Sequence, residues 1–109
     1  MDTELTKGTL SLLILSLLRR KPMYGYEIVM EVRRDTNGLF EWKEGSLYPS
    51  LHKLTKDGLV RAQWQGKPGS RRRKYYALTK AGRVALNEKM KSWRQLSKTI
   101  NYMLEQSDG

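Results

Sequence analysis

Cysteine is absent from this chain, and histidine occurs once, as His52. Without cysteine there is no disulfide framework and no thiolate metal site, which argues against a secreted, stapled mini-domain and for the cytoplasm. A single imidazole with no second ligand nearby makes neither a metal centre nor an acid–base pair. Long apolar runs are missing as well. The densest stretch, Leu10 to Leu18, is nine residues interrupted by Ser11 and Ser16. That is far short of the roughly 20 that cross a bilayer, so no membrane partner is expected. Arg19, Arg20 and Lys21 follow the stretch instead of preceding it, the reverse of a signal peptide. No Gly-rich phosphate loop occurs, and no spacing rule places two carboxylates in one pocket. An enzyme is therefore the least supported class, and no cofactor is implied.

The remaining scarcity is local. Gly58 to Asn87, thirty consecutive residues, contain no acid and carry eight bases: Arg61, Lys67, Arg71, Arg72, Arg73, Lys74, Lys80 and Arg83. This stretch supplies +8 of the net +10, because the other 79 residues hold 13 bases against 11 acids. A concentrated excess of one sign suits a polyanion, with nucleic acid first among them. At 109 residues and 12.7 kDa the chain fits one domain with a modest core, and such a core gains from a second copy of the subunit.

Periodicity orders the elements. Residues from about Thr6 to Arg20 read as a helix, with Leu10, Leu13, Ile14, Leu17 and Leu18 at spacings of three and four and Leu12 and Leu15 widening the stripe. Apolar on most faces, it needs cover on more than one side, which a partner subunit would supply. Pro22 ends it. A second helix is predicted from near Tyr24 to about Thr36, turned inward at Ile28 and Val32. Asn37-Gly38 closes it, since both residues accept the left-handed conformation of helix ends.

The third helix is predicted with Ser46 as N-cap, Pro49 in the first turn and Gly58 just past the end. Leu47, Leu51 and Leu54 form its buried stripe, Pro49, His52, Lys53 and Lys56 lie on the far side, and Ser46 and Tyr48 flank it. Beyond Gly58 the period shortens to two, with Val60, Ala62 and Trp64 on one face and Leu59, Arg61 and Gln63 on the other. The turn formers Gly66-Lys67-Pro68-Gly69-Ser70 join this strand to a second, from about Arg72 to Leu78, in an antiparallel hairpin. Tyr75 and Tyr76 must then face opposite sides. Thr79 caps a last helix to about Gln106, whose Leu86, Met90, Trp93, Leu96 or Ser97, Ile100 and Leu104 make a seam for another helix.

Three helices followed by a hairpin are the order of a winged helix-turn-helix. The expected fold class is mainly α with a two-stranded β-wing (α+β), residues 1–78 forming the DNA-binding domain and 79–109 a C-terminal dimerisation helix within one compact unit. In that arrangement the third helix enters the major groove of double-stranded DNA and the hairpin lies along the neighbouring backbone. The unneutralised bases fall on those two elements.

Several strings then resemble a family. Leu12-Leu13-Ile14-Leu15, Pro22-Met23-Tyr24-Gly25-Tyr26-Glu27-Ile28 and Gly45-Ser46-Leu47-Tyr48-Pro49-Ser50-Leu51 are similar to signatures of PadR-type transcriptional regulators. So are Asp57-Gly58-Leu59-Val60, Arg73-Lys74-Tyr75-Tyr76-Ala77-Leu78-Thr79 and Gly82-Arg83. The resemblance covers residues 8 to 104, and its specificity lies in the ordered set. It implies a dimeric winged-helix repressor of the short subgroup with a single C-terminal helix. Some short members sense flat aromatic molecules between subunits beside a tryptophan of the last helix, the position that Trp93 occupies here.

The expected DNA-binding residues are Tyr24, Ser46, Tyr48, Pro49, His52, Lys53 and Lys56 together with Lys67, Arg71, Arg72 and Arg73 of the wing, with no choice made between adjacent bases. Ser46 is first a cap, and Lys53 and Lys56 suit phosphate better than bases. Dimerisation is expected at Leu10, Leu13, Leu17, Leu86, Met90, Trp93, Leu96, Ile100 and Leu104. A small aromatic effector would meet Leu13, Met90 and Trp93, although aromatic and Met stripes at helical spacing more often just pack. Gly25 serves close helix packing or approach to a phosphate, and Trp42 and Trp64 read as local packing residues. The rival readings are a basic domain that binds DNA without sequence preference, or RNA, and a scaffold whose hairpin meets an acidic partner.

Overall fold

The computed structural model describes the backbone of residues 3–108 and the side chains of residues 8–107. Its elements are α1 (Thr3–Leu18), β1 (Met23–Tyr24), α2 (Gly25–Asp35), α3 (Glu44–Lys56), β2 (Val60–Gln65), β3 (Arg73–Leu78) and α4 (Lys80–Asp108). The wing has three strands, not the expected two, in the order β1-β3-β2. Met23 and Tyr24 pair antiparallel with Tyr76 and Tyr75, so the residues that lead into α2 also bind the far edge of the hairpin.

One core joins all the elements. Ile14 and Leu15 of α1, Ile28 of α2, Leu47 and Leu51 of α3 and Leu86 of α4 are all fully buried, with Val60 and Tyr76 closing the sheet side. Full burial of each such aliphatic side chain contributes about 1.5–3 kcal/mol. This packing takes up part of the residues expected at a subunit seam, on α1 and at the start of α4. Leu10, Leu17 and Leu86, expected at a dimer interface, are buried within the one chain and have little surface left for a partner. Trp93, Leu96, Ile100 and Leu104 remain exposed along the outer half of α4.

The helix ends follow their sequence signals with one exception. At the end of α2, Gly38 N–H donates to the Arg33 carbonyl at 2.8 Å and Asn37 N–H to Arg34 at 3.2 Å, with positive φ at both residues. Gly58, at φ 77°, closes α3 in the same way, and Leu59 N–H reaches back to Leu54 at 3.0 Å. Thr79 caps α4 as expected: its hydroxyl accepts from Gly82 N–H at 3.0 Å and donates to the Gly58 carbonyl at 2.7 Å. The exception is the start of α3. Lys43 is the N-cap and offers no side-chain bond, while its carbonyl accepts from Ser46 and Leu47 N–H at 3.0 Å each. Ser46 is thus inside the first turn, and Pro49 falls in the second turn, not the first. Pro49 leaves the Gly45 carbonyl without its helix partner on the exposed outer side.

Candidate nucleic-acid interface

The outer face of α3 and the wing share one side of the molecule because both flank the N-terminus of α2. Gly25, the first residue of α2, admits the contact: a Cβ there would stand 2.5 Å from the Tyr48 hydroxyl oxygen. Tyr48 can therefore lie flat against the helix start, half-buried. Tyr24 packs edge-on against Tyr75 at 5.5 Å between ring centroids, and the Arg73 guanidinium sits 4.6 Å above the Tyr24 ring. Such a cation–π contact orients the guanidinium without neutralising it. On the other face of β3, the Lys74 ammonium lies 5.9 Å from the Tyr76 ring.

A groove of about 620 Å³ runs between these elements. It gathers Tyr24, Tyr48, His52, Arg71, Arg72 and Arg73 from the expected set. Ser46, Pro49, Lys53, Lys56 and Lys67 are exposed outside it, the first four on α3 and the last on the wing turn. The groove also takes in Tyr26, Glu44, Trp64 and Lys74, which sequence reasoning does not assign to a site. Lys74 is visible in the charge run, whereas Glu44 escapes because the predicted helix starts three residues late. Trp64, read as a packing residue, is 56% exposed. It does alternate with its neighbours as the period of two requires, but alternation does not say where the core stops.

Ion pairs concentrate on and around α2, with one on the outer side of α3. Arg20 pairs with Asp35 at 2.7 Å, Lys21 with Glu27 at 2.9 Å, Arg33 with Glu41 at 3.6 Å and Lys53 with Asp57 at 3.3 Å. Arg34 bonds to Glu31. Among the described residues, Lys67, Arg71, Arg72, Arg73 and Lys74 have no acid partner, so their field points outward into solvent. The hydrogen bond to Glu27 and that residue's charge raise the Lys21 pKa. Burial, then the neighbouring Tyr48, raises that of the Tyr76 phenol.

A second groove, of about 560 Å³, lies between α1 and α4 and is lined by Thr9, Leu12, Ser92, Trp93 and Leu96 among others. Of the three expected effector residues it includes Trp93 alone. Leu13 and Met90 are half-buried against the core, and Met90 sulfur accepts from Arg19 Nη1 at 3.7 Å. No described helix is long and apolar enough to cross a membrane, and the described residues hold no cluster of three metal-ligating side chains.

With this geometry in place, likeness to known proteins becomes decisive. Residues 14–88 match the Transcriptional regulator PadR-like family. The chain belongs to that family. It is similar to a transcriptional regulator of Mycobacterium tuberculosis, with 31% identity over 97 residues, 89% of this chain and 87% of that protein. The negative transcriptional regulator PadR of Bacillus subtilis is 26% identical over 87 residues, 80% of this chain but 48% of that longer protein. A solved transcriptional regulator from Clostridium thermocellum superposes with a TM-score of 0.85 at 32% identity, covering 93% of this chain and 95% of the other. Members of the PadR-like family are transcriptional regulators, not enzymes, and the four helices and three-stranded wing of this chain match their winged-helix structures.

Proposed function

We propose that this chain is a cytoplasmic homodimeric repressor that grips a pseudo-palindromic operator in double-stranded DNA, with residues 1–78 as the reading unit and residues 79–109 as the dimerisation helix. The observation that carries this reading is the shared face: exposed Ser46, Pro49, His52, Lys53 and Lys56 of α3 stand beside the unpaired wing bases Lys67, Arg71, Arg72 and Arg73. In a dimer the two α3 helices would enter successive major grooves about 34 Å apart. The wing would set affinity through phosphates, and α3 would set sequence. Ser46 is available for this because its hydroxyl is not spent as a cap.

The exposed stripe Trp93, Leu96, Ile100 and Leu104 supports dimerisation through the outer half of α4, where apolar residues step by three and four along a helix that the described residues cover only in part. The groove beside Trp93 supports release by a small flat aromatic effector that prefers a half-site spacing unable to fit DNA. Repression itself is supported by the name of the B. subtilis relative.

The test is fluorescence anisotropy on a labelled duplex from upstream of this protein's own gene, with scrambled duplex as competitor. Preference of roughly a thousandfold over scrambled DNA supports operator recognition. With about six phosphates neutralised per dimer, affinity falls by roughly three orders of magnitude between 50 and 200 mM salt. Equal competition by scrambled duplex would replace this reading with binding that lacks sequence preference, and a flat salt dependence would remove the wing from it.

A further inference from the structure

Trp64 is unlike the other two tryptophans. Trp42 is half-buried against the core and Trp93, 47% exposed, lies in the apolar stripe of α4, whereas Trp64 stands on β2 among unpaired bases with 56% of its surface exposed. Strand register fixes where it looks. Val60 pairs with Leu78, Ala62 with Tyr76 and Trp64 with Lys74, so all six side chains share the face of the hairpin that turns toward α3. Val60 and Tyr76 on that face are buried and Ala62 is half-buried. One step further out the core has ended, and the indole overhangs the groove that also holds Tyr48, His52, Arg71 and Arg72.

A large apolar side chain left this open is not accounted for by packing within the chain. Its surroundings decide what covers it. The bases around it have no acid partner among the described residues, which suits a polyanion, and a hairpin lying along a duplex meets the sugar edge between phosphates before it meets any base. We propose that Trp64 contacts DNA, its indole packing on the deoxyribose edge beside the phosphates held by Arg71 and Arg72. This inference rests on the duplex-binding reading above and adds an apolar, salt-independent component to it. Phosphate contacts release counterions and set the slope of affinity against salt. Removing an apolar contact instead lowers affinity by a constant factor and leaves the slope alone.

The experiment compares wild type, Trp64→Ala, Trp64→Phe and Arg72→Ala on the same labelled duplex across a salt series, with a thermal melt of each variant. Trp64→Ala is expected to bind about tenfold more weakly or worse at every salt concentration with the wild-type slope. Trp64→Phe should lose less, and Arg72→Ala should flatten the slope. Addition of duplex should also change tryptophan emission in wild type and not in Trp64→Phe. Should Trp64→Ala melt early, the Phe variant and the emission difference decide. Wild-type affinity in Trp64→Ala, an emission change that survives in Trp64→Phe, or a flattened slope in place of a constant loss would each overturn the proposal. Failure of the wild type to bind duplex in a salt-dependent way would be seen first, and would remove the underlying reading along with it.

Discussion

Alanine at two helical glycines, Gly45 and Gly82, separates helix propensity from packing. Alanine is favoured over glycine in a helix by about 1 kcal/mol. At Gly45, the second residue of α3, nothing lies within 4 Å of where a Cβ would stand. Gly45→Ala is therefore expected to stabilise the protein by about 0.5–1 kcal/mol. Gly82, the third residue of α4, is buried, and a Cβ there would overlap the Leu59 carbonyl oxygen and come 2.7 Å from Leu78 Cδ1. The carbonyl cannot simply withdraw, because it accepts the Thr79 N–H at 3.1 Å. Overpacking costs about 1–3 kcal/mol, and weakening that hydrogen bond about 1 kcal/mol more. After the propensity gain is subtracted, Gly82→Ala should lose about 1–3 kcal/mol, or roughly 5–15 °C in Tm. Urea unfolding followed by circular dichroism measures this, at one protein concentration throughout because association adds to apparent stability. A Gly82→Ala protein as stable as wild type would mean that α4 does not start against the base of the wing.

Four further outcomes are expected. Thr79→Val keeps the side-chain shape but removes both hydroxyl hydrogen bonds, and should cost about 1–2 kcal/mol in the same unfolding assay. Arg73→Ala should reduce the slope of log affinity against log salt by about 0.9 for each phosphate left unneutralised, while Lys53→Ala, whose ammonium already pairs with Asp57, should change it less. Leu96→Asp with Ile100→Asp should leave a folded monomer in sedimentation, because both side chains are exposed within one chain. The Tyr76 phenol, raised above the usual 10.0 by burial, holds its proton longer in the folded than in the unfolded state. Its contribution is intact below pH 10 and is lost as pH rises through the folded value. The urea midpoint should accordingly fall above pH 10, and less steeply in Tyr76→Phe.

Much of this architecture is legible in the sequence because its signals are local. The stripes Leu47, Leu51, Leu54 and Ile28, Val32 face the core as their spacing requires, and Asn37-Gly38, Gly58 and Thr79 end or begin helices by the mechanisms their chemistry allows. What escapes depends on distant partners. Met23-Tyr24 is a strand only because Tyr75 and Tyr76, some fifty residues later, offer an edge. Ser46 and Pro49 together imitate a helix start, yet backbone bonds to Lys43 begin the helix earlier. Leu10, Leu17 and Leu86 carry the same periodic signal as Leu96 and Ile100, and periodicity alone cannot tell an internal face from one left for a second subunit.

The 29 residues of α4 extend about 44 Å, and Thr79 and Gly82 fasten their first turn to the end of α3 and the root of the wing. Leu86 and Met90 then pack the following turns onto the core, so with a dimer seam centred between Trp93 and Leu104 only the part of α4 beyond Met90 would act as a lever, roughly 13 Å long. A bend of about 15° at its root would carry the clasped end through about 3.4 Å, the rise of one base pair. In such a dimer a bend that leaves both cores intact would put the two α3 helices out of step with a duplex.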